Sequence, residues 1–152
     1  MTDQRAGQAT DAPAVGESRE SVGRTVTNAD LVTWGGLVHD FTRLHFDQEH
    51  MKSTPFGQPI AHGYIALNLS VGLMFPGLAR WYSPHGTDTA LRWNDVRFLS
   101  PVFVGDTLRC RRTVTTVTTS EVHYLVEVIK GDEVVVSGTE VVGRSLEEAA
   151  SR

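Results

Sequence analysis

The sequence predicts an α+β fold in which an antiparallel sheet wraps around one long apolar helix. The helix is predicted over Gly63–Phe75, where apolar residues cover every face of a helical wheel, so that neighbouring structure has to enclose it on most sides. The sheet is predicted because the second half of the chain is rich in Val and Thr and alternates between apolar and polar residues with period two. A sheet with one apolar face needs a partner to cover it, and the helix provides that partner.

Two shorter helices are expected before the long one. The first begins after Thr27 and Asn28, either of which can accept a hydrogen bond from the free amides of the first turn, and its apolar pattern ends near Asp40. A short polar helix follows over Asp47–Lys52, and its first residue is typical of an N-cap. The prolines within Pro55–Pro59 predict a loop that leads into the long helix.

Four strands are expected after the long helix. Their predicted bounds are Thr89–Phe98, Thr107–Thr119, Glu121–Lys130 and Glu133–Gly143. A tight turn centred on Gly131 joins the last two strands, since glycine adopts a positive φ without strain.

The length of 152 residues suits a single domain. Residues 1–20 are polar and lack hydrophobic periodicity, which predicts a flexible N-terminal tail; the domain is expected at residues 21–146, and a frayed C-terminus at 147–152. The chain up to Arg24 lacks the apolar core of a signal peptide. The longest uncharged segment, Ser53–Ala79, is interrupted too often by proline and polar residues to predict a membrane helix.

Charge and cysteine content narrow the class of protein further. With 14 basic and 18 acidic residues the net charge is −4, which argues against a non-specific nucleic-acid binder. The single cysteine, Cys110, excludes an internal disulfide and a Cys-rich zinc site, and it fits a reducing compartment. We therefore expect a cytoplasmic protein whose partners include neither nucleic acid nor membrane.

Histidines cluster just before the long helix, and the cluster has three interpretations. Of the six histidines, four lie within one stretch together with two aspartates: His39, His45, His50 and His62 with Asp40 and Asp47. A metal site is disfavoured, because successive members of the first three histidines are separated by six and five positions rather than by one helical turn. Histidines at the surface are the second interpretation, and we assign it to the following four: His39, His50, His85 and His123.

The third interpretation rests on longer motifs. The chain reads D-F-T-R-L-H-F-D over Asp40–Asp47, P-I-A-H-G over Pro59–Gly63 and F-L-S-P-V-F-V-G-D over Phe98–Asp106. This order resembles the MaoC-like dehydratases, the (R)-specific or type 2 enoyl-CoA hydratases, whose signature is G-D-x-N-P-x-H-x-D, then a proline, an aliphatic pair and H-G, then F-x-x-P-V-x-x-G-D. Their hot-dog fold, a sheet wrapped around one long helix, agrees with the fold predicted from periodicity.

The resemblance implies a role for each matching residue. Asp40 and His45 match the family's catalytic pair, which holds one water, and Gly63 matches the glycine whose N–H receives the thioester carbonyl oxygen. The implied enzyme is a hydro-lyase that interconverts a 2-enoyl thioester and an (R)-3-hydroxyacyl thioester without metal or cofactor. A carboxylate and an imidazole suit this proton transfer at neutral pH, and the amides at a helix N-terminus suit the enolate oxygen.

Candidate substrate-binding residues flank these motifs, and they are His62, Phe56 and Arg43. The chain departs from the signature where Arg43 and Leu44 replace Asn-Pro and His39 replaces Gly. Arg43 adds a positive charge that either lowers the pKa of Asp40 or contacts a substrate phosphate.

Two other functions remain open, namely a hot-dog acyl-thioesterase and a non-catalytic acyl-thioester-binding subunit of a hetero-oligomer. The expected partners are an acyl-CoA or acyl-carrier-protein thioester and a second copy of the chain in a homodimer. Six basic residues either contact carrier phosphates or an acidic carrier protein, or are solvated at the surface: Lys52, Arg80, Arg97, Arg109, Arg111 and Arg112.

Overall fold

The computed structural model describes residues 13–78 and 89–143 as one antiparallel sheet packed against a long helix. The helices are α1 Asn28–Val38, α2 Arg43–Phe46, α3 Gln48–Lys52 and α4 Gly63–Leu78. The strands are β1 Ser18–Glu20, β2 Arg24–Thr25, β3 Thr89–Phe98, β4 Thr107–Val117, β5 Glu121–Lys130 and β6 Glu133–Gly143. The sheet has the order β1-β4-β5-β6-β3, and β2 also pairs with β4. This arrangement confirms the predicted α+β fold.

The long helix α4 packs against the sheet and forms the centre of the core. Ile65 and Ala66, near its start, belong to a buried cluster with Leu108 of β4 and Val128 of β5, and Met74 lies in a second cluster further along. Strand β5 alternates between buried and partly exposed residues over most of its length, as the sequence pattern predicts. Burial of these apolar side chains holds helix and sheet together.

Helix α1 begins and ends with specific backbone arrangements. At its start, the Thr27 N–H donates to Asp30 Oδ2 (2.8 Å) and the Asp30 N–H donates to the Thr27 hydroxyl (3.4 Å), which forms a capping box. At its end, His39 adopts a left-handed conformation with φ of 58°. The helix therefore stops two residues before Asp40, close to where its apolar pattern predicts.

The other predicted elements are also confirmed. Asp47 caps α3 by accepting the His50 N–H at 2.8 Å, and β3, β5 and β6 have their predicted bounds. Strand β4 ends at Val117, two residues earlier than predicted. The turn between β5 and β6 contains Gly131 with φ of 58°.

The prediction of a flexible tail through residue 20 is wrong for its last three residues. Ser18–Glu20 form strand β1, which pairs antiparallel with β4, and Glu20 makes ion pairs with Arg109 and Arg111. These contacts come from a strand about 90 positions away, so a local pattern of three residues does not reveal them. Residues 1–12 and the predicted frayed C-terminus at 147–152 lie outside the described residues.

Helix α4 is enclosed on its sheet side but remains open on the opposite side. Tyr64, Asn68 and Val71 are exposed, whereas Ile65, Ala66 and Ser70 are buried. An apolar helix with one open side commonly marks a surface that another element or molecule covers. Among the described helices, none combines the length and the hydropathy needed to cross a bilayer.

A charged pair is buried between the sheet and α4. Arg112 of β4 donates to Glu140 of β6 at 2.6 Å, and its guanidinium lies 3.7 Å from the centre of the Tyr124 ring. Both charged residues are almost fully buried, with exposed fractions of 2% and 4%. Burial raises the pKa of Glu140 and the Arg112 charge opposes that rise. Removing one member of such a pair leaves the other as an uncompensated charge in the core.

We predict that Glu140→Leu lowers the free energy of unfolding by about 3–5 kcal/mol. The double variant Arg112→Met/Glu140→Leu should recover most of that loss, because it removes both charges. Urea denaturation of each variant measures the effect. Glu49→Ala is the control, since it breaks the exposed pair with Lys52 and should cost less than about 1 kcal/mol. Equal losses in Glu140→Leu and Glu49→Ala would contradict the prediction.

Candidate active site

The residues that match the catalytic pair meet where α1 ends and α2 begins. Asp40 follows the left-handed His39, and its N–H donates to the Gly35 carbonyl at 3.1 Å. His45 lies in α2, and its Nε2 is 3.9 Å from Asp40 Oδ2. Gly35 permits this approach, because a Cβ there would lie 2.8 Å from the Phe46 ring and 3.1 Å from the Asp40 carbonyl oxygen. The structure therefore brings the predicted carboxylate and imidazole together.

The orientation of the His45 ring follows from its main-chain partner. Its Nδ1 lies 2.7 Å from the Ile60 carbonyl oxygen, which only accepts hydrogen bonds. Nδ1 consequently carries the proton in the neutral ring, and Nε2 presents a lone pair on the side of Asp40. The ring is buried, so this hydrogen bond also fixes its direction.

His62 is the next residue of the site, and it lies beside His45. The two imidazole rings stack with centroids 3.7 Å apart and planes inclined by 26°. The Nε2–H of His62 donates to the Asp40 carbonyl at 3.0 Å, whereas its buried Nδ1 has no hydrogen-bond partner among the described residues. Burial lowers the pKa of His62, because a charged ring would lose its hydration there. His62 is thus a neutral ring that holds the main chain of Asp40.

The Asp40 carboxylate is held in its charged form. The Thr42 N–H donates to its Oδ1 at 3.1 Å, and this backbone hydrogen bond is the main cause that lowers the pKa of Asp40. His45 and His62 contribute smaller electrostatic effects in the same direction. Near neutral pH the site therefore contains a carboxylate 3.9 Å from the Nε2 atom of His45.

Gly63 begins α4 directly after His62. As the first residue of the helix it has an N–H without an intrahelical acceptor, at the positive end of the helix dipole. The ring of Phe98 packs against it so closely that a Cβ at this position would lie 2.7 Å from the ring. Only glycine fits beneath that ring without a shift, and Gly63 also lines the neighbouring cavity.

A cavity of about 960 Å³ joins these groups. Its lining is mostly apolar and includes Asp40, His45, His62 and Gly63 together with Trp34, Phe56, Tyr64, Phe98, Ser100 and Val136. Within the described part of the chain, Asp40 is the only carboxylate that lines this cavity. A mostly apolar space with a few polar groups at one place is typical of a small-molecule site.

The three candidate substrate-binding residues have different positions. Phe56 lines the cavity as expected, and His62 lines it while its ring also supports Asp40 and His45. Arg43 does not line the cavity: it is 67% exposed, and its Nε donates to Asp47 at 2.8 Å. The pKa of Asp40 is therefore lowered by the Thr42 amide rather than by Arg43.

Of the basic residues considered for carrier phosphates, the five that the structure describes do not line the cavity either. Within the described part of the chain, several are engaged with acids: Arg109 and Arg111 with Glu20, Lys52 with Glu49, and Arg112 with Glu140. Arg97 is exposed on β3, and Arg80 and His85 lie outside the described residues.

Two aromatic residues of the cavity were not identified from the sequence. Trp34 reads as part of the apolar face of α1, and Phe98 as the end of a strand. The motif that begins at Phe98 was a signal for its importance, but it did not indicate that the ring covers Gly63. No comparable local signal marks Trp34.

A hydrogen bond that one of the possible ligand atoms already makes disfavours a metal ion at this site. Asp40, His45 and His62 each offer a ligand atom, and these atoms lie within 4.8 Å of one another. The Nε2–H of His62, however, is donated to the Asp40 carbonyl. An ion held by all three residues would have to break this hydrogen bond or use the buried Nδ1 of His62 instead.

We predict that His62 makes the fold sensitive to acid. Because its pKa is lower in the folded than in the unfolded chain, the unfolded chain binds more protons as the pH falls below about 6.5. The free energy of unfolding should therefore be unaffected by this group above that pH and decrease below it. His62→Gln keeps an N–H donor but cannot titrate, so its stability should depend less on pH between neutral and moderately acidic solution.

Urea denaturation at a series of pH values measures this dependence. His39→Gln is the control, because His39 is exposed and its replacement should leave the pH dependence as in the wild type. A His62→Gln variant with the full acid sensitivity of the wild type would contradict the prediction.

Comparison with known proteins identifies the family of this chain. Residues 10–136 match the family described as the MaoC like domain. The chain is 32% identical over 87 residues to 3-hydroxyacyl-thioester dehydratase Z of Mycobacterium tuberculosis, covering 56% of this chain and 55% of the relative. It is 31% identical over 87 residues to the (R)-specific enoyl-CoA hydratase of Aeromonas caviae, covering 57% and 60%. The matched part thus spans little more than half the length of these relatives.

Solved structures show the same fold. The X-ray structure of a protein from Archaeoglobus fulgius, named a monoamine oxidase regulatory protein, superposes with a TM-score of 0.77 at 33% identity, covering 88% of this chain and 92% of that one. The sheet around α4, the order of the motifs and the family match lead to the same conclusion: this chain belongs to the MaoC-like domain family and has the hot-dog fold.

Proposed function

We propose that the protein is a hydro-lyase that adds water to a 2-enoyl thioester, or removes it from the (R)-3-hydroxyacyl thioester. The observation that carries this proposal is the 3.9 Å separation of Asp40 Oδ2 and His45 Nε2 beside a mostly apolar cavity. The names of the dehydratase and hydratase relatives support the reaction class and the (R) configuration.

The separation of the two acceptors suits one bridging water. It is too long for a direct hydrogen bond, and it is close to the ~4.4 Å that two ~2.8 Å bonds from one water would span. A water that donates both hydrogens to Asp40 and His45 directs an oxygen lone pair towards the cavity. That oxygen is then positioned to attack C3 of a bound enoyl thioester.

The reaction balances with these groups alone. As the water oxygen bonds to C3, the C2–C3 π pair moves to form an enolate, and His45 Nε2 accepts the water proton. The imidazolium next returns this proton to C2, while the Asp40 carboxylate stabilises the transient charge. The Gly63 N–H donates to the enolate oxygen at the positive end of α4. Catalysis therefore requires no metal or organic cofactor.

The substrate class follows from the lining of the cavity. Apart from the catalytic pair and its neighbours the walls are mostly apolar, which fits an acyl chain. We propose a thioester of CoA or of acyl-carrier protein as the substrate. The buried free thiol of Cys110 fits the reducing cytoplasm that we propose as the compartment.

We predict that Asp40→Asn and His45→Ala each reduce kcat for hydration of trans-2-butenoyl-CoA by about 100- to 10,000-fold, because each removes a proton acceptor of the water. Loss of absorbance of the enoyl thioester measures the rate, and thermal unfolding shows whether the fold is retained. Asp47→Asn is the matched control: asparagine also caps α3, and Asp47 faces Arg43 rather than the water site.

Two outcomes would contradict this assignment. Full activity in both variants would remove the pair from the mechanism. Release of free CoA thiol with the double bond intact would identify a thioesterase instead. A further result would support the hetero-oligomeric alternative, namely that the purified wild-type protein turns over enoyl thioesters only after a different subunit is added.

We also propose that two copies of the chain form a homodimer. Apolar side chains beside the cavity are exposed in the single chain, and these residues form the apolar rim: Leu37, Val38, Phe41, Leu44, Tyr64, Phe98 and Leu99. An exposed apolar patch of this kind is typical of a protein interface. The open side of α4 adjoins the rim through Tyr64, so a second copy would cover both.

Light scattering should give about twice the chain mass of 16.7 kDa. Phe41→Glu places a charge in the apolar rim and should shift the protein towards the monomer. Val22→Glu is the control, because Val22 is at least as exposed but lies outside the rim. A stable wild-type monomer would contradict the homodimer.

A further inference from the structure

A second apolar space lies next to the catalytic cavity, between α1 and α4. This groove has a volume of about 580 Å³. Its walls include Leu37 of α1 and Ile65, Leu69 and Leu73 of α4. Arg24 and Asp30 border it as an ion pair at 2.5 Å, so their charges are engaged with each other. The reaction proposed above does not use this groove.

Trp34 separates the groove from the catalytic cavity. Among the described residues, it alone lines both spaces. The half-buried Trp34 packs against the core cluster that contains Ile65 and Ala66. Ala66 lines the catalytic cavity and Ile65 lines the groove, so the two spaces meet at α4 on either side of this indole.

The groove contains unfilled space along α4. A Cβ built on Gly72, which lines the groove, would meet no other atom within 4 Å. A Cβ at this position would therefore displace none of the described atoms. The apolar wall beside it favours burial of methylene groups.

We propose that Trp34 determines the acyl-chain length that the enzyme accepts, and that the groove behind it would hold the distal part of a longer chain. This inference rests on the proposed function, since it names a specificity residue of the same site. Because Trp34 lines both spaces, its side chain in this proposal stands between an acyl chain in the catalytic cavity and the groove. A smaller residue at this position joins the two spaces. Each further methylene buried in the groove would strengthen binding about fourfold.

The first experiment measures kcat/KM for Trp34→Val and wild type with trans-2-enoyl-CoAs from butenoyl to hexadecenoyl. The ratio of kcat/KM for long chains to that for butenoyl should increase at least tenfold in the variant. Trp34→Phe keeps an aromatic ring in the core and should give a smaller increase, which provides a result if Trp34→Val unfolds. An unchanged ratio in a folded variant would overturn the proposal.

A second substitution tests whether the longer chain occupies the groove. Adding Gly72→Phe to Trp34→Val fills the space along α4 and should abolish the gain for long chains. Adding Gly36→Phe is the matched control, because Gly36 is also a helical glycine with nothing within 4 Å of a built Cβ, but it lines neither space. If Gly36→Phe abolishes the gain as fully as Gly72→Phe does, the groove is not the place where the chain binds.

A binding measurement separates this inference from the proposed reaction. Calorimetry with S-alkyl-CoA thioethers of increasing length, which contain no bond to hydrate, should show tighter binding of long chains to Trp34→Val than to wild type. If thioether affinity shifts in this way but neither protein hydrates an enoyl-CoA, the role of Trp34 is supported and the hydro-lyase is rejected. If both proteins hydrate enoyl-CoAs with the same length preference and bind thioethers equally well, the role of Trp34 is rejected and the hydro-lyase is supported.

Discussion

The structure depends on burying two imidazole rings side by side, each with a main-chain hydrogen-bond partner. Each ring donates one N–H to a main-chain carbonyl, His45 to Ile60 and His62 to Asp40. A proton added to His62 would place a charge against a neighbouring ring in a poorly hydrated space. Because both hydrogen bonds end on the backbone, they also join three segments of the chain: the end of α1, the helix α2 and the residues before α4. The catalytic geometry and the local fold are therefore held by the same contacts.

The sheet supports this arrangement from behind. The Ala61 N–H donates to the Val102 carbonyl at 2.7 Å, and the Ile60 N–H donates to the Leu44 carbonyl at 3.2 Å. These bonds hold the chain that leads into α4. The segment after β3 is in turn held to the sheet by Leu99, whose N–H donates to the Val135 carbonyl of β6 at 2.9 Å. The sheet thus provides a rigid support for the catalytic residues, which lie on short helices and loops. Many folds position functional residues of loops in this way.

Local patterns in the sequence predicted the main helices and strands, because apolar periodicity, an N-cap and a glycine turn are visible within a few residues. The resemblance of the longer motifs to the MaoC-like family selected Asp40, His45 and Gly63, which the structure brings to one cavity. The role of His62 was not predicted, since the stack and the bond to Asp40 exist only after folding. Arg43 was misplaced for a similar reason: in sequence it lies three positions from Asp40 and four from Asp47, and the helical register of α2 selects Asp47.

The first strand has a consequence for any shortened form of this protein. β1 pairs with β4 over Arg111–Thr113, and Glu20 balances the charge of two arginines on that strand. A chain cut just before Ser21 would leave the N–H and C=O groups of this edge without hydrogen-bond partners, on a strand rich in Val and Thr. Such an edge is a template for pairing with other chains. The last residues of the polar N-terminal stretch, which look dispensable in the sequence, thus protect the folded domain from aggregation.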